Sequence, residues 1–241
     1  MSLLHPPLTL GIKALLLLLC RVDAEELAAV PQSGPAIVVV NHINFLEVPM
    51  LYTFFHPRQQ TSFIKVETWR NPFLALLANT WNAIPIRRGA ADTAAFAAAE
   101  RELARGSFLL LAPEGTRSGD GRLRRGRPGV VSLAQRMEVP IIPVAHYGGE
   151  AFRRNLRRLK RTDFRFRVGR PFYIRRSPEG ISRAERQRVA DEVMMRLAEL
   201  LPAAYRGHYA AGISGGYRYL DFDRAAGLPA EERSANEGGR Q

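Results

Sequence analysis

A histidine followed five residues later by a carboxylate, in Asn41-His42-Ile43-Asn44-Phe45-Leu46-Glu47, supplies a candidate base and a candidate orienting partner. A carboxylate that accepts the Nδ1 proton fixes the imidazole tautomer and leaves Nε2 free to take a proton from a hydroxyl. Residues at this spacing do not share a face of a regular helix. The two therefore meet only where His42 sits in a turn and Glu47 opens a helix that folds back on it. Taken alone the pair is a weak signal, because acidic residues are common and a histidine capping a strand or packing in a turn gives the same pattern.

The second constellation is Ala112-Pro113-Glu114-Gly115-Thr116-Arg117-Ser118, directly after the apolar run Phe108-Leu109-Leu110-Leu111 and before a stretch carrying Arg122, Arg124, Arg125 and Arg127. It reads as an anion cradle. A tight glycine turn exposes backbone N–H groups, Thr116 and Ser118 offer hydroxyls, and Arg117 has the planar fork that grips a phosphate with two bonds. A solvated basic turn has a similar composition. A buried strand that ends in Glu-Gly-Thr-Arg, however, is a common way for an α/β fold to place a ligand.

Both constellations need strands to deliver them. Residues 36–40 form a short β-branched run that ends at Asn41-His42, and further strand patterns cover residues 62–66, 83–87, 107–112, 140–145 and 163–169. Helical patterns lie between several of them. Residues 91–105, rich in alanine and charge, close on Gly106, and residues 182–201 open with a Ser182/Glu185 capping box followed by an apolar stripe of Val189, Val193, Leu197 and Leu200. The alternation predicts a single α/β domain with a mixed, largely parallel central sheet flanked by helices. The expected organisation is an apolar segment over residues 1–30, the main domain over 31–210, and a partly disordered tail over 211–241 rich in Gly, Ala and charge.

Residues 8–20 are strongly apolar but too short to span a bilayer as a helix, so they suit either a helix packed on the domain or an anchor at a membrane surface. In residues 152–161 helical spacing sets Arg153, Arg154, Arg157, Arg158 and Arg161 opposite Phe152, Leu156 and Leu159. That pattern fits a membrane-facing helix, and equally an exposed helix with its apolar side on the core.

The formal charge of +12 and pI near 10.7 call for an anionic partner, whether lipid, nucleic acid or a phosphorylated small molecule. No aromatic interleaving or recognisable module supports nucleic acid. The basic residues are nearly all arginine, the lysines being Lys13, Lys65 and Lys160, a skew that genomic base composition can also produce. The single cysteine, Cys20, has no internal partner, which suits a reducing compartment. The scattered histidines imply no metal site.

The two constellations together resemble the signature blocks of the glycerolipid acyltransferase family that acylates 1-acylglycerol-3-phosphate. The family's histidine, four variable residues and aspartate fall on His42 to Glu47, and its Pro-Glu-Gly-Thr-Arg block falls on Pro113 to Arg117. Between them Ile84-Pro85-Ile86-Arg87-Arg88-Gly89 is similar to the second block, and Val139-Pro140-Ile141-Ile142-Pro143-Val144 to the fourth. The resemblance implies His42 as base and Glu47 as its orienter. It implies substrate contacts from Lys65, Arg88, Glu114, Gly115, Thr116, Arg117 and Arg127, with Glu114 shaping the loop. It further implies transfer of an acyl chain to the sn-2 hydroxyl of 1-acylglycerol-3-phosphate, giving phosphatidate for phospholipid biosynthesis. The donor would be an acyl-CoA or acyl-carrier-protein thioester used as co-substrate with no cofactor. The expected setting is the cytoplasmic face of an anionic membrane, bound peripherally or monotopically. In two places this chain departs from the pattern: Glu47 replaces the usual aspartate, and Arg87 stands where an acidic residue is frequent. A different lyso-lipid acceptor, or a catalytically weak lipid-binding homologue, are the alternatives these departures leave open.

Overall fold

The run Ala36–Val40 is buried throughout, and its side chains divide between two cores, Ile37 and Val39 in one and Ala36, Val38 and Val40 in the other. This is the two-residue alternation of a central strand covered on both faces. The computed structural model describes residues 5–87, 92–176, 180–212 and 216–226. Its elements follow the order α1 (His5–Leu19), β1 (Cys20–Asp23), β2 (Ala36–Val40), α2 (Glu47–Phe54), β3 (Gln60–Lys65), α3 (Pro72–Thr80), β4 (Ile84–Ile86), α4 (Thr93–Ala104) and β5 (Phe108–Leu111). They continue with α5 (Gly129–Met137), β6 (Ile141–Tyr147), α6 (Phe152–Arg157), β7 (Thr162–Val168), β8 (Tyr173–Ile174), α7 (Arg183–Glu199) and β9 (Leu220–Asp221).

The main sheet has the order β1-β7-β6-β2-β5-β3-β4. From β6 to β4 every neighbouring pair is parallel, while β7 runs antiparallel to β6 and β1 follows β7. This is the mixed, largely parallel sheet expected from the sequence. Helices α4, α5 and α7 cover one face through residues such as Ala99, Val131 and Val193, and α1 and α2 cover the other through Leu16, Met50 and Leu51. Three helix starts among the described residues are fixed by side chains: Asn71 accepts from Leu74 N ahead of α3, Asp92 accepts from Ala95 N ahead of α4, and Ser182 and Glu185 close their capping box ahead of α7.

Three sequence expectations change. The helix foreseen over residues 152–161 stops at Arg157, because Leu159 takes a left-handed conformation and Lys160 N turns back to Asn155 O at 2.9 Å. Phe152 is buried in the core, but Leu156 and Leu159 are exposed, so only the start of the anticipated apolar face packs inward. Arg161 leaves the basic face altogether and donates to the carbonyls of Leu17 and Cys20 at the end of α1, both at 2.6 Å. The folded part also reaches beyond the boundary at 210: β9 pairs with β8, and Tyr217, Tyr219 and Phe222 pack on the core.

The helix α1 spans about 22 Å at 1.5 Å per residue, short of the roughly 30 Å of a bilayer's hydrocarbon core. Among the described residues no helix is long and apolar enough to cross a membrane. Leu10, Leu15, Leu17 and Leu18 of α1 are exposed, as are Phe73, Leu74 and Leu76 of α3. The two helices are linked. Trp81, at the end of α3, donates from Nε1 to Thr9 Oγ1 of α1 at 3.2 Å and stacks on Tyr52 of α2 with centroids 4.7 Å apart.

Candidate active site

Strands β2 and β5 are neighbours, with Val39 opposite Leu111, so the segments that follow them emerge side by side at the carboxyl end of the parallel strands. That is where open α/β sheets hold ligands. Beyond β2 the chain reverses at Asn44, whose Oδ1 accepts from Leu46 N at 2.8 Å in an Asx turn. The reversal starts α2 at Glu47 and brings its carboxylate back onto His42. Glu47 Oε1 meets His42 Nδ1, and Oε2 accepts from Asn44 N at 3.1 Å. The longer glutamate thus reaches the imidazole, and its second oxygen is held in place by the backbone. Asn44 also donates from Nδ2 to Gly149 O at 2.7 Å, fastening the turn to the segment after β6.

Both members of the dyad are buried. Burial works against the Glu47 charge, but the hydrogen bond with His42 and the Asn44 N–H help to outweigh it and hold the carboxyl below its ordinary value. With Nδ1 engaged, Nε2 is the ring nitrogen left without a hydrogen bond among the described residues.

The Glu-Gly-Thr-Arg segment docks on this turn through its backbone. Ser118 N donates to His42 O at 2.7 Å, and Gly119 N to Ile43 O at 3.0 Å. Glu114 accepts the N–H of His42 on Oε1 at 2.6 Å and that of Arg124 on Oε2 at 2.8 Å. Glu114, expected to shape the loop, is buried with both oxygens engaged by backbone N–H groups, and it joins the two loops. Burial pushes its carboxyl up to about 7, against the pull of the two N–H donors and with the Glu47 charge adding to the rise.

The outer side of the same loop is clamped from the C-terminal region. Tyr209 Oη accepts from Gly126 N at 2.9 Å and donates to Asp191, while Gln187 Nε2 donates to Gly126 O. Leu123 exchanges backbone bonds with Tyr205 and His208.

A cavity of about 330 Å³ opens at the dyad. His42, Glu47, Arg87 and Arg127 supply charged and titratable groups to its lining, and Val48, Leu51, Phe63, Phe96, Leu110 and Val130 line much of the remainder. Gly115 has φ +68°, and a Cβ there would come within 3.1 Å of Arg127 Nε, so glycine lets that guanidinium lie across the turn. The structure therefore brings His42, Glu47, Gly115 and Arg127 together around one cavity. Lys65, Thr116 and Arg117 are not among its lining residues, the lysine and arginine being exposed. Arg88 lies outside the described residues. Arg87, noted only as a departure from the family pattern, lines the cavity itself. Asn44 was missed as well, although an asparagine three residues before a helix start is a recognisable turn signal.

A histidine bonded to a carboxylate, lining a largely apolar cavity together with two arginines, is an arrangement chemically able to take a proton from a hydroxyl close to an anionic group. Residues 21–147, more than half of the chain, match the Acyltransferase family, and the chain belongs to that family. It is 27% identical over 132 residues to a chloroplastic 1-acyl-sn-glycerol-3-phosphate acyltransferase of Brassica napus, covering 53% of this chain and 38% of that one. It is 28% identical over 133 residues to a 1-acyl-sn-glycerol-3-phosphate acyltransferase of Pseudomonas aeruginosa, covering 54% and 51%. The chain thus spans about half or less of the length of these curated relatives. The crystal structure of the 1-acyl-sn-glycerophosphate acyltransferase PlsC from Thermotoga maritima shares the fold, with a TM-score of 0.58 at 22% identity, over 78% of this chain and 76% of that one.

Proposed function

We propose that the protein transfers an acyl chain from a thioester to the sn-2 hydroxyl of 1-acylglycerol-3-phosphate, forming phosphatidate. The observation that carries this reading is the contact of Glu47 with His42 Nδ1 in the lining of a mostly apolar cavity that also includes Arg87 and Arg127. His42 Nε2 takes the proton of the acceptor hydroxyl as that oxygen attacks the thioester carbonyl. The carbon–sulfur bond then breaks, and the departing sulfur receives the proton from the imidazolium. Base catalysis of this kind contributes about two to four orders of magnitude, and positioning by the docked loops adds to it. Arg127 and Arg87 hold the phosphate, and the apolar lining receives an acyl chain.

The donor is a coenzyme A or acyl-carrier-protein thioester. The protein works on the cytoplasmic face of an anionic membrane, with the exposed leucines of α1 and the apolar residues of α3 entering the interface. Arg153, Arg154, Arg157 and Arg158 face the lipid headgroups. Each basic residue near such a surface is worth about 1 kcal/mol. Glu47 engages its histidine with both oxygens bonded, which favours a working enzyme over an inert lipid-binding homologue.

The test is thiol release from purified protein in vesicles supplied with lysophosphatidate and either donor. Turnover in the wild type, abolished in His42→Ala, is the expected result. Silence with both donors would remove the proposal, and equal turnover with neutral lyso-lipids would remove the phosphate acceptor.

A further inference from the structure

His146, on β6, is fully buried and lies behind the dyad rather than in the cavity. Its backbone exchanges two bonds with the Asn41 side chain: His146 N donates to Asn41 Oδ1, and Asn41 Nδ2 donates to His146 O, each at 2.8 Å. Its ring adds a third contact, with Nε2 2.8 Å from the Asn41 carbonyl oxygen. A carbonyl only accepts, so the proton is on Nε2. Nδ1 is then a bare acceptor, and it is buried with no partner among the described residues. The ring is stacked on Phe164 with centroids 5.1 Å apart and planes within 10° of parallel.

The carbonyl that His146 holds belongs to the peptide linking Asn41 to His42. The N–H of that same peptide donates to Glu114. One peptide unit, immediately before the base, is therefore gripped at both ends by buried side chains. A structural histidine in a core needs only a partner; this one takes the atom that sets the direction in which His42 leaves β2.

We infer that His146 is a positioning residue for the acyl transfer, holding the Asn41–His42 peptide through its Nε2–H so that the His42 ring meets Glu47 and the cavity. This rests on the function proposed above. A burial-depressed basicity keeps the ring neutral and in the donor form the contact requires.

Two substitutions separate the role from simple packing. His146→Phe keeps the aromatic stack and removes the donor, whereas His146→Gln can place an amide N–H where Nε2 stood. Misplacing a reacting group by about 1 Å can cost on the order of a hundredfold. The expectation is a kcat lowered about tenfold to a hundredfold in His146→Phe with KM within about twofold, and substantial recovery in His146→Gln. Wild-type kcat in His146→Phe, or a loss the glutamine variant fails to restore, would overturn the inference. Nitrogen NMR of the wild-type imidazoles decides it independently of turnover and of how the variants fold: a proton on Nε2 of His146 is expected, and a proton on Nδ1 overturns it. If the wild type releases no thiol, the proposed function fails, while the NMR result still decides whether His146 holds the peptide.

Discussion

The backbone N–H of His42 donates to the carboxylate of Glu114 at 2.6 Å, so a residue from the loop after β5 fixes the main chain of a residue from the loop after β2. The two constellations that stand apart in sequence are joined here by a buried acid that is not among the residues lining the cavity. Catalysis and loop geometry consequently share a titratable group.

Glu114 gives this site a pH signature in stability. Its carboxyl rises from 4.5 to about 7 on folding, so its contribution is complete below about 4.5 and is lost as pH climbs through about 7. The span corresponds to about 3 kcal/mol. Thermal melts of the wild type and Glu114→Gln should therefore show the wild type losing ground to the variant as pH is raised across that window. Comparison with the variant cancels the opposite trend from His146, whose basicity is depressed. A difference in melting temperature that stays constant with pH would contradict the assignment.

Shortening Glu47 tests whether its second oxygen matters. Glu47→Asp keeps the charge but cannot span both His42 and Asn44 from the same backbone position, and kcat should fall about tenfold. Glu47→Gln loses the charge that favours the imidazolium, and the fall should approach two or more orders of magnitude. Steady-state kinetics on lysophosphatidate check both, and an aspartate variant faster than the wild type would show that the glutamate is a compromise.

Arg127 lines the cavity across Gly115 while Arg117 is exposed outside it. Truncating Arg127 to alanine should raise KM for the phosphate-bearing acceptor by about tenfold or more, since charged hydrogen bonds contribute about 1.5–3 kcal/mol. Arg117→Ala should change it far less. The reverse ranking would relocate the phosphate to the outer end of the loop.

Gly207 has φ +48°, and a Cβ there would lie 2.3 Å from the carbonyl oxygen of Leu123. Gly207→Ala must therefore part the C-terminal segment from the anion loop, at a cost above about 2 kcal/mol, or about 5 °C in melting temperature. Differential scanning calorimetry measures the effect, and a melting temperature equal to the wild type's would mean the clamp is dispensable.

The sheet was legible because its strands are β-branched or apolar runs bounded by glycine, proline and polar residues, as in Ala36–Val40 and Phe108–Leu111. Helices with a side-chain cap written in the sequence were equally plain, Ser182 and Glu185 being the example. The short β1 was not. Cys20–Asp23 alternates too briefly to register and gains its identity from pairing with β7. The dyad could be inferred only conditionally, since its geometry depends on the Asn44 turn. The role of Glu114 depends on backbone donors more than seventy positions away in one case, a relation no local pattern encodes. His146 escaped for the same reason, because its partner is a carbonyl just past the end of another strand, more than a hundred positions away.

Trp81 bonds to Thr9 on one side and stacks on Tyr52 on the other, and Tyr52 is part of the cavity wall. The amino-terminal helix is thus tied to the wall of the chamber through a single indole. On the membrane setting proposed above, a lipid surface holding that helix would also set the height of the chamber, coupling the depth of seating to the reach toward an embedded chain.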